Sequence, residues 1–353
     1  MNYLKRMLWP FSLLYGGVTL VRNYLYDREV LPSRRFSLPV IAVGNLTVGG
    51  TGKTPHVEYL LRLLQSYKTA TLSRGYKRQS KGFLLADSES TAATLGDEPF
   101  QYHRDFPGVA VAVCEDRVAG IGQLLQRVPE VEVVVLDDAM QHRPVQPSLN
   151  IMLTDYHRPF YKDWVLPAGL LREPREGAAR ADVVIVSKCP PQLGPEELAV
   201  IRKEVGKYAG AGTPVFFSAF AYAEPVAIGM PASRSKKVVL LTAIANAAPL
   251  AEHLKENGYE VLRHLAYPDH YTYTVQDLQK LRQLLQQPEF AGAPILTTRK
   301  DAVKLEGPAL AALTAELPVS YIPVVVRFIQ GQEAFDQLVL RHVRQFDRTA
   351  AGD

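Results

Sequence analysis

Between the apolar run LPVIAVGNL (residues 38–46) and a helical pattern carrying Val57, Leu60, Leu61 and Leu64 on one face lies VGGTGKTP, residues 48–55. No other junction constrains the chain as strongly. A short, continuously apolar run is a strand buried on both faces. A glycine-rich turn that feeds straight into a helix gathers backbone N–H groups and the positive end of the helix at one point, which suits a phosphate. Strand, loop and helix in that order are the context such a loop requires. Gly49, Gly50, Thr51 and Gly52 form the turn, Lys53 is placed to neutralise a phosphate in transfer, and the Thr54 hydroxyl to ligate Mg²⁺. The usual spelling has a glycine five positions before Gly52, where this chain has Thr47. Gly49 and Gly50 still give a permissive turn, so the departure leaves the physics intact.

The runs KTATLS, GVAVAV (108–113), VEVVVLDD (131–138), LNIMLTD and ADVVIVSK alternate with helical stretches. That alternation predicts a parallel sheet covered on both faces. Near residue 213 the pattern changes: TPVFFSAFAYAEPVAI reads as extended chain leaving the domain, and KKVVLLTAI (236–244) opens a second strand–helix–strand unit. A last extended run, LPVSYIPVVVRFI, is expected to pair with the exit strand. The expected fold is therefore α/β: a P-loop kinase-type α/β/α core with a second, smaller α/β domain joined by a two-stranded β linker. The boundaries read from sequence are 1–35 for an amino-terminal segment, 36–212 for the core, 213–235 for the linker strand, 236–316 for the smaller domain, and 317–353 for the return strand and final helix.

A formal charge of +4, from forty basic against thirty-six acidic residues, does not describe a nucleic-acid binder. Cys114 and Cys189 have no metal-ligand spacing and make no disulfide framework, which fits a reducing compartment. The amino terminus is the unusual region. MLWPFSLLYGGVTLV (7–21) has no charge, with Lys5 and Arg6 before it and Arg22, Arg28, Arg34 and Arg35 after it. Fifteen residues are fewer than the roughly 20 a spanning helix needs. Trp9, Tyr15, Tyr24 and Tyr26 suit the headgroup level of a bilayer, and the arginines suit anionic lipid. A helix lying on a membrane surface is expected, against the plainer alternative of a helix packed on the protein body.

Several charged groups stand where parallel sheets bind ligands, beyond the carboxyl ends of their strands. Asp137 and Asp138 end an apolar strand, the place of the Mg²⁺-binding acid in phosphate-loop proteins; alternatively one of them caps a turn. Asp97, in GDEP, is either a helix cap or a catalytic carboxylate. Arg74 and Tyr76 follow the second strand, Arg172 and Glu173 sit in LPAGLLREPREG, and Asp269 and His270 occupy a proline-marked loop of the second unit. For the aspartate pair the metal role is favoured, since a metal-binding acid is needed, whereas the charged loop residues could each be solvated surface.

Taken in order, GNLTVGGTGKTP, SRGYKR, GDEP, LDDAMQH, LPAGLLREP, PDHY and TTRKDAVKL resemble the tetraacyldisaccharide 4'-kinase (lipid A 4'-kinase) family over nearly the whole chain. Thr47 agrees with that family's own loop spelling. Ala139 and Met140 replace the more usual Gly-Leu, Lys77 a frequent glycine, and PDHY carries one histidine where many members show two. The resemblance implies transfer of the ATP γ-phosphate to the 4'-hydroxyl of an acylated glucosamine disaccharide 1-phosphate, giving lipid IVA, with Mg²⁺, at the cytoplasmic face of the inner membrane. It implies Asp97 as base with His270 as its partner across a closing interdomain cleft. It also implies Thr54, Asp138, Glu173 and the nearby Asp137 as the metal set, Arg172 beside the transferring phosphoryl group, and Arg74 with Tyr76 toward the acceptor. No protein partner is implied. Two rivals remain at this level. A membrane-recruited switch ATPase would carry a lysine where Val48 stands, and a cytosolic small-molecule kinase would have no use for the amino-terminal segment.

Overall fold

The computed structural model describes residues 3–231, 233 and 235–346, with side chains from residue 7 onward; the side chains of Lys5 and Arg6 and the tail 347–353 lie outside the described residues. The amino-terminal segment is one helix, α1 (Tyr3–Asp27), of 25 residues and about 37 Å in length, which continues through Pro10 and the Gly16-Gly17 pair. Met7, Phe11, Leu14, Val18 and Val21 recur at helical spacing on it and are all exposed. Among the described residues no helix is long and apolar enough to cross a membrane.

Two sheets follow. The strands of the first are β1 (Val40–Asn45), β2 (Thr69–Ser73), β3 (Leu84–Leu85), β4 (Ala110–Val113), β5 (Val133–Asp137), β6 (Leu149–Asp155), β7 (Val183–Ser187) and β8 (Val215–Tyr222). The second comprises β9 (Val226–Ala227), β10 (Lys237–Thr242), β11 (Glu260–Ala266), β12 (Ile295–Thr298) and β13 (Val319–Ile322), and the chain returns to the first sheet with β14 (Val324–Gln330). The order in the large sheet is β14-β8-β7-β6-β1-β5-β2-β4-β3, parallel from β8 to β4 with an antiparallel strand at each edge. The small sheet runs β11-β10-β12-β13-β9, parallel except for β9.

The helices after α1 are α2 (Lys53–Leu63), α3 (Ala92–Leu95), α4 (Asp97–Asp105), α5 (Arg117–Arg127), α6 (Pro195–Gly206), α7 (Ala248–Glu256), α8 (Val275–Leu285), α9 (Arg299–Leu305), α10 (Ala311–Ala315) and α11 (Gln332–Arg344). Every residue of β1, β5, β6 and β7 is buried, as continuous apolar runs require when helices cover both faces. On one face Ile41, Val43 and Val135 pack with Val57, Leu60 and Leu61 of α2 and with Phe335 and Val339 of α11. On the other, α5 supplies Ile121 and Leu124, and α6 supplies Leu198, Ile201 and Val205.

The exit and return runs pair antiparallel, β8 with β14, but not as a free-standing ribbon. β8 also pairs with β7, so the two runs complete the edge of the large sheet, β8 before the chain leaves for the small sheet and β14 after it returns. The backbone reason is economy of hydrogen bonding: a lone two-stranded ribbon leaves both outer edges open, whereas here β7 closes one of them. The small sheet accordingly takes in Val226–Ala227 and Val319–Ile322, beyond the 236–316 span read from sequence.

Candidate active site

β1 lies at the centre of the large sheet, with β5 on one side and β6 on the other. This reversal of strand order opens a crevice above the carboxyl ends, and the glycine loop sits in it. Gly52 is the N-cap of α2 at φ +84°, and a Cβ there would meet the Phe220 ring at 2.3 Å, so both backbone and space call for glycine. The loop is held from several sides. Arg158 donates to the Val48 carbonyl (3.0 Å), Lys188 to the Gly50 carbonyl, and Ser187 Oγ to the Thr51 carbonyl (2.7 Å). Within the loop the Val48 N–H donates to the Leu170 carbonyl (2.7 Å) and the Thr51 N–H to the Gly49 carbonyl (3.0 Å), so its backbone is fixed, and Arg158 and Lys188 line the cavity beside Gly49 and Gly50.

His56, one turn into α2, is buried, and burial pushes its imidazole down to about 4, opposed by the Gly52 carbonyl. The ring is therefore neutral. Nδ1 lies 2.7 Å from the Gly52 carbonyl and so carries the proton, leaving Nε2 to accept from Ser218 Oγ at 2.9 Å. The loop and the edge strand β8 are thus joined through one histidine. Nothing in the sequence signalled His56 except a polar residue on the apolar face of α2.

Lys53 Nζ lies 3.3 Å from Asn45 Oδ1 and 3.5 Å from Asp138 Oδ1. Arg172 Nη1 reaches both Asp138 oxygens at 3.0 Å. Burial raises the Asp138 carboxyl, but Lys53 and Arg172 together outweigh it and hold it below the ordinary carboxylate value. Its neighbour behaves oppositely. Burial, opposed by Lys53 and reinforced by the charge on Asp138, pushes Asp137 up to about 6. Tyr102 donates to Asp137 Oδ2 at 3.1 Å, while Oδ1 is buried with no partner among the described residues. A buried bare carboxylate oxygen beside the loop is what a cation-binding acid presents, so these residues fit Mg²⁺. Thr54 lines the same crevice.

Glu173 is not brought into this group. It is 3% exposed, its Oε1 accepts from Gln141 (2.9 Å) and Arg180 (2.7 Å), and its Oε2 accepts from Asn23 (2.6 Å). Arg180 balances its charge, and these three donors hold the carboxylate in place next to Arg172 in the chain.

Asp97 is the first residue of α4, and its Oδ2 lies 3.1 Å from His270 Nδ1. The histidine comes from the loop after β11, on the small sheet, with φ +64°. A carboxylate only accepts, so the bond is donated from His270 Nδ1 to Asp97, while Nε2 faces Lys300 at 3.4 Å and Asp269 Oδ2 at 3.7 Å. Lys304 Nζ places a positive charge 3.6 Å from the same Asp97 oxygen. The contact is held by α9 against α4: Arg299 makes a forked pair with Asp105 (3.0 Å) and reaches Glu306 at 2.6 Å. Tyr76 packs edge-on against His270, with centroids 5.7 Å apart.

Arg74 belongs to a cationic group that also includes Arg117 and Arg22. Arg117 is buried at the start of α5, donating from Nη1 to the Glu115 carbonyl at 3.0 Å, while its Nε has no partner. Burial, with the charges of Arg117, Arg22 and Arg74, drives His142 down to about 4 against the pull of Asp116. Arg117 and His142 escaped sequence reading, although His142 closes the LDDAMQH motif that was singled out. Between the sheets a cavity of about 1310 Å³ runs from Gly49, Gly50 and Thr54 past Phe220 and Tyr222 to Asn246, Pro249 and Leu250.

A glycine loop opening α2, a lysine beside paired acids at a strand end, and a carboxylate–histidine pair joining the two sheets' elements define a P-loop phosphotransferase of the kinase type. The chain belongs to the tetraacyldisaccharide-1-P 4'-kinase family, whose model matches residues 4–344. It is 43% identical to the tetraacyldisaccharide 4'-kinase of Flavobacterium johnsoniae over 98% of this chain and 99% of that one. With the enzyme of the same name from Bacteroides thetaiotaomicron the identity is 42%, over 99% and 96%. The fold is similar to a crystal structure of the "apo" form of LpxK from Aquifex aeolicus in complex with ATP, at a TM-score of 0.76 and 32% identity over 96% and 99% of the two chains.

Proposed function

We propose that this kinase transfers the γ-phosphoryl group of ATP to the 4'-hydroxyl of a tetraacyl glucosamine disaccharide 1-phosphate, giving lipid IVA, at the cytoplasmic face of the inner membrane. The observation that carries the reading is the Asp97–His270 contact: a carboxylate from one sheet and an imidazole from the other meet at 3.1 Å. Asp97 accepts the hydroxyl proton as the sugar oxygen forms its bond to the γ-phosphorus and the bond to the bridging oxygen breaks, its electron pair leaving with ADP. His270 orients Asp97. Gly49, Gly50, Thr51 and Gly52 cradle the phosphates, and Lys53 and Arg172 face the transferring group. The interdomain cavity takes the nucleoside.

Thr54, Asp137 and Asp138 would hold Mg²⁺, which supplies charge neutralisation between the phosphates; Glu173 supports Arg172 from behind. Arg74, Arg117 and Arg22 form the natural counter-charge for the 1-phosphate, with Tyr76 beside the sugar. The exposed apolar stripe of α1, flanked by arginines, lies in the headgroup plane and brings the crevice to an acceptor whose acyl chains stay in the bilayer.

With γ-labelled ATP and the tetraacyl disaccharide 1-phosphate in mixed micelles, label is expected in the lipid; label appearing only as inorganic phosphate would overturn the assignment. The cation assignment has its own test. Asp137 titrates near 6, so below that pH a proton competes for its carboxylate. The Mg²⁺ concentration giving half-maximal rate should rise by up to about tenfold per pH unit below 6 and level off above 7. A flat requirement from pH 5 to 8 would remove Asp137 from the cation set.

A further inference from the structure

The outward face of α1 is apolar, but its inward face is not. The Thr19 hydroxyl is spent on the Tyr15 and Gly16 carbonyls of α1 itself, but Ser12 and Asn23 look toward the protein, around the buried Gly16. Their contacts, with that of Tyr15, are concentrated on one piece of chain. Ser12 Oγ accepts from the Ala168 N–H at 2.9 Å, Tyr15 Oη donates to the Arg172 carbonyl at 3.0 Å, and Asn23 Nδ2 donates to Glu173 Oε2 at 2.6 Å. Arg22 adds a bond to the Gln141 carbonyl at 3.0 Å. Gln141 in turn accepts from Arg172 Nη1 at 3.3 Å and donates to Glu173 Oε1. A helix serving only as an anchor needs an apolar inner face, because burial without directional bonds is enough to hold it. Here the inner face carries polar side chains whose partners are Ala168, Arg172, which pairs with Asp138, and Glu173, which follows it in the chain.

We propose that α1 is a positioning element of the active site: Asn23, with Tyr15, fixes the Arg172–Glu173 segment, so that the membrane-facing helix and the arginine at the transferring phosphate move as one body. The proposal rests on the reading of Arg172 given above. The Asn23–Glu173 bond is charge-assisted and its acceptor is buried, so its loss leaves a carboxylate oxygen unpaired. Glu173 then shifts toward Arg180 and Gln141, and the neighbouring Arg172 loses its alignment on Asp138. Engagement of α1 with a lipid surface thereby stiffens the segment that carries the arginine.

The test is Asn23→Leu in the full chain, which keeps the size of the side chain and removes the donor, with Tyr15→Phe as a milder variant that removes one hydroxyl. Three quantities are measured: kcat and KM for lipid and ATP in mixed micelles, sedimentation with vesicles of phosphatidylethanolamine and phosphatidylglycerol, and the melting temperature. The expected result for Asn23→Leu is a fall in kcat of about ten- to a hundredfold, with both KM values and vesicle binding close to wild type. Tyr15→Phe is expected to lower kcat by a few-fold, again without loss of vesicle binding. Unchanged kcat in Asn23→Leu overturns the proposal. So does a loss of kcat in step with vesicle binding, which would make α1 an anchor only. If Asn23→Leu fails to fold, Tyr15→Phe decides, and wild-type kcat there overturns the proposal. A wild-type protein that transfers no phosphate to lipid would instead reject the functional reading itself.

Discussion

Asp97→Asn is expected to lower kcat for transfer to the lipid by about a thousandfold while leaving ATP binding and the melting temperature near wild type. The substitution changes one oxygen for an amide nitrogen, so packing at the start of α4 is preserved. What is lost is the ability to take a proton. A sugar hydroxyl is a weak nucleophile, and a positioned base contributes on the order of 10²- to 10⁴-fold. Asparagine also meets His270 Nδ1–H and the Lys304 ammonium without a negative charge between them, which removes the reason for that geometry. The readout is steady-state transfer with labelled ATP, together with nucleotide affinity measured separately. A variant within about threefold of wild type would mean that the proton leaves by another route.

Lys53→Met should cost about a hundredfold to a thousandfold, the range found when a donor aimed at developing charge is removed. Methionine fills the same volume at the start of α2, so the loop's backbone is preserved. Two effects add. On the proposed reading the transferring phosphoryl group loses a cation, and Asp138 keeps only Arg172 of the two charges that hold its carboxyl low. Asp137 loses the lysine that opposes its burial, so its carboxyl rises further. The loss should therefore be larger below neutral pH than above it, because protonation then removes the acids a cation requires. Equal losses across that range would separate Lys53 from the acidic pair.

What was legible beforehand was local. Residues 38–64 spell strand, loop and helix within one continuous stretch, and the physics that makes Gly52 a glycine and Lys53 a phosphate ligand is contained there, apart from the Phe220 ring. Asp137 and Asp138 were legible for the same reason, as charges ending a buried apolar strand. The buried parallel strands showed as unbroken apolar runs. Long-range partners were another matter. His56 and Ser218 are 162 positions apart, and Asn23 and Glu173 are 150 apart. Each residue by itself reads as an ordinary polar side chain, and only the fold reveals that they are bonded. Asp97 and His270, 173 positions apart, came together beforehand only through resemblance to a family, since nothing in GDEP or PDHY points to the other. Glu173 was legible only by its place in a motif; the three neighbours that hold its oxygens, Gln141, Arg180 and Asn23, lie outside that motif. Likewise the runs that became β8 and β14 were recognisable as strands, while their place at the sheet edge depended on β7.

The central claim is that groups from two sheets act as one catalytic unit, and a double-mutant cycle on Asp97 and His270 tests it most directly. Single-turnover transfer would be measured for wild type, Asp97→Asn, His270→Ala and the combination, with enzyme saturated in ATP and lipid. If His270 works through Asp97, its removal costs much in the wild-type background and almost nothing once Asp97 is gone, so the double variant matches Asp97→Asn. Losses that multiply, with the double variant slower than Asp97→Asn by the full His270→Ala factor, would contradict the account by showing that the two residues serve the reaction independently.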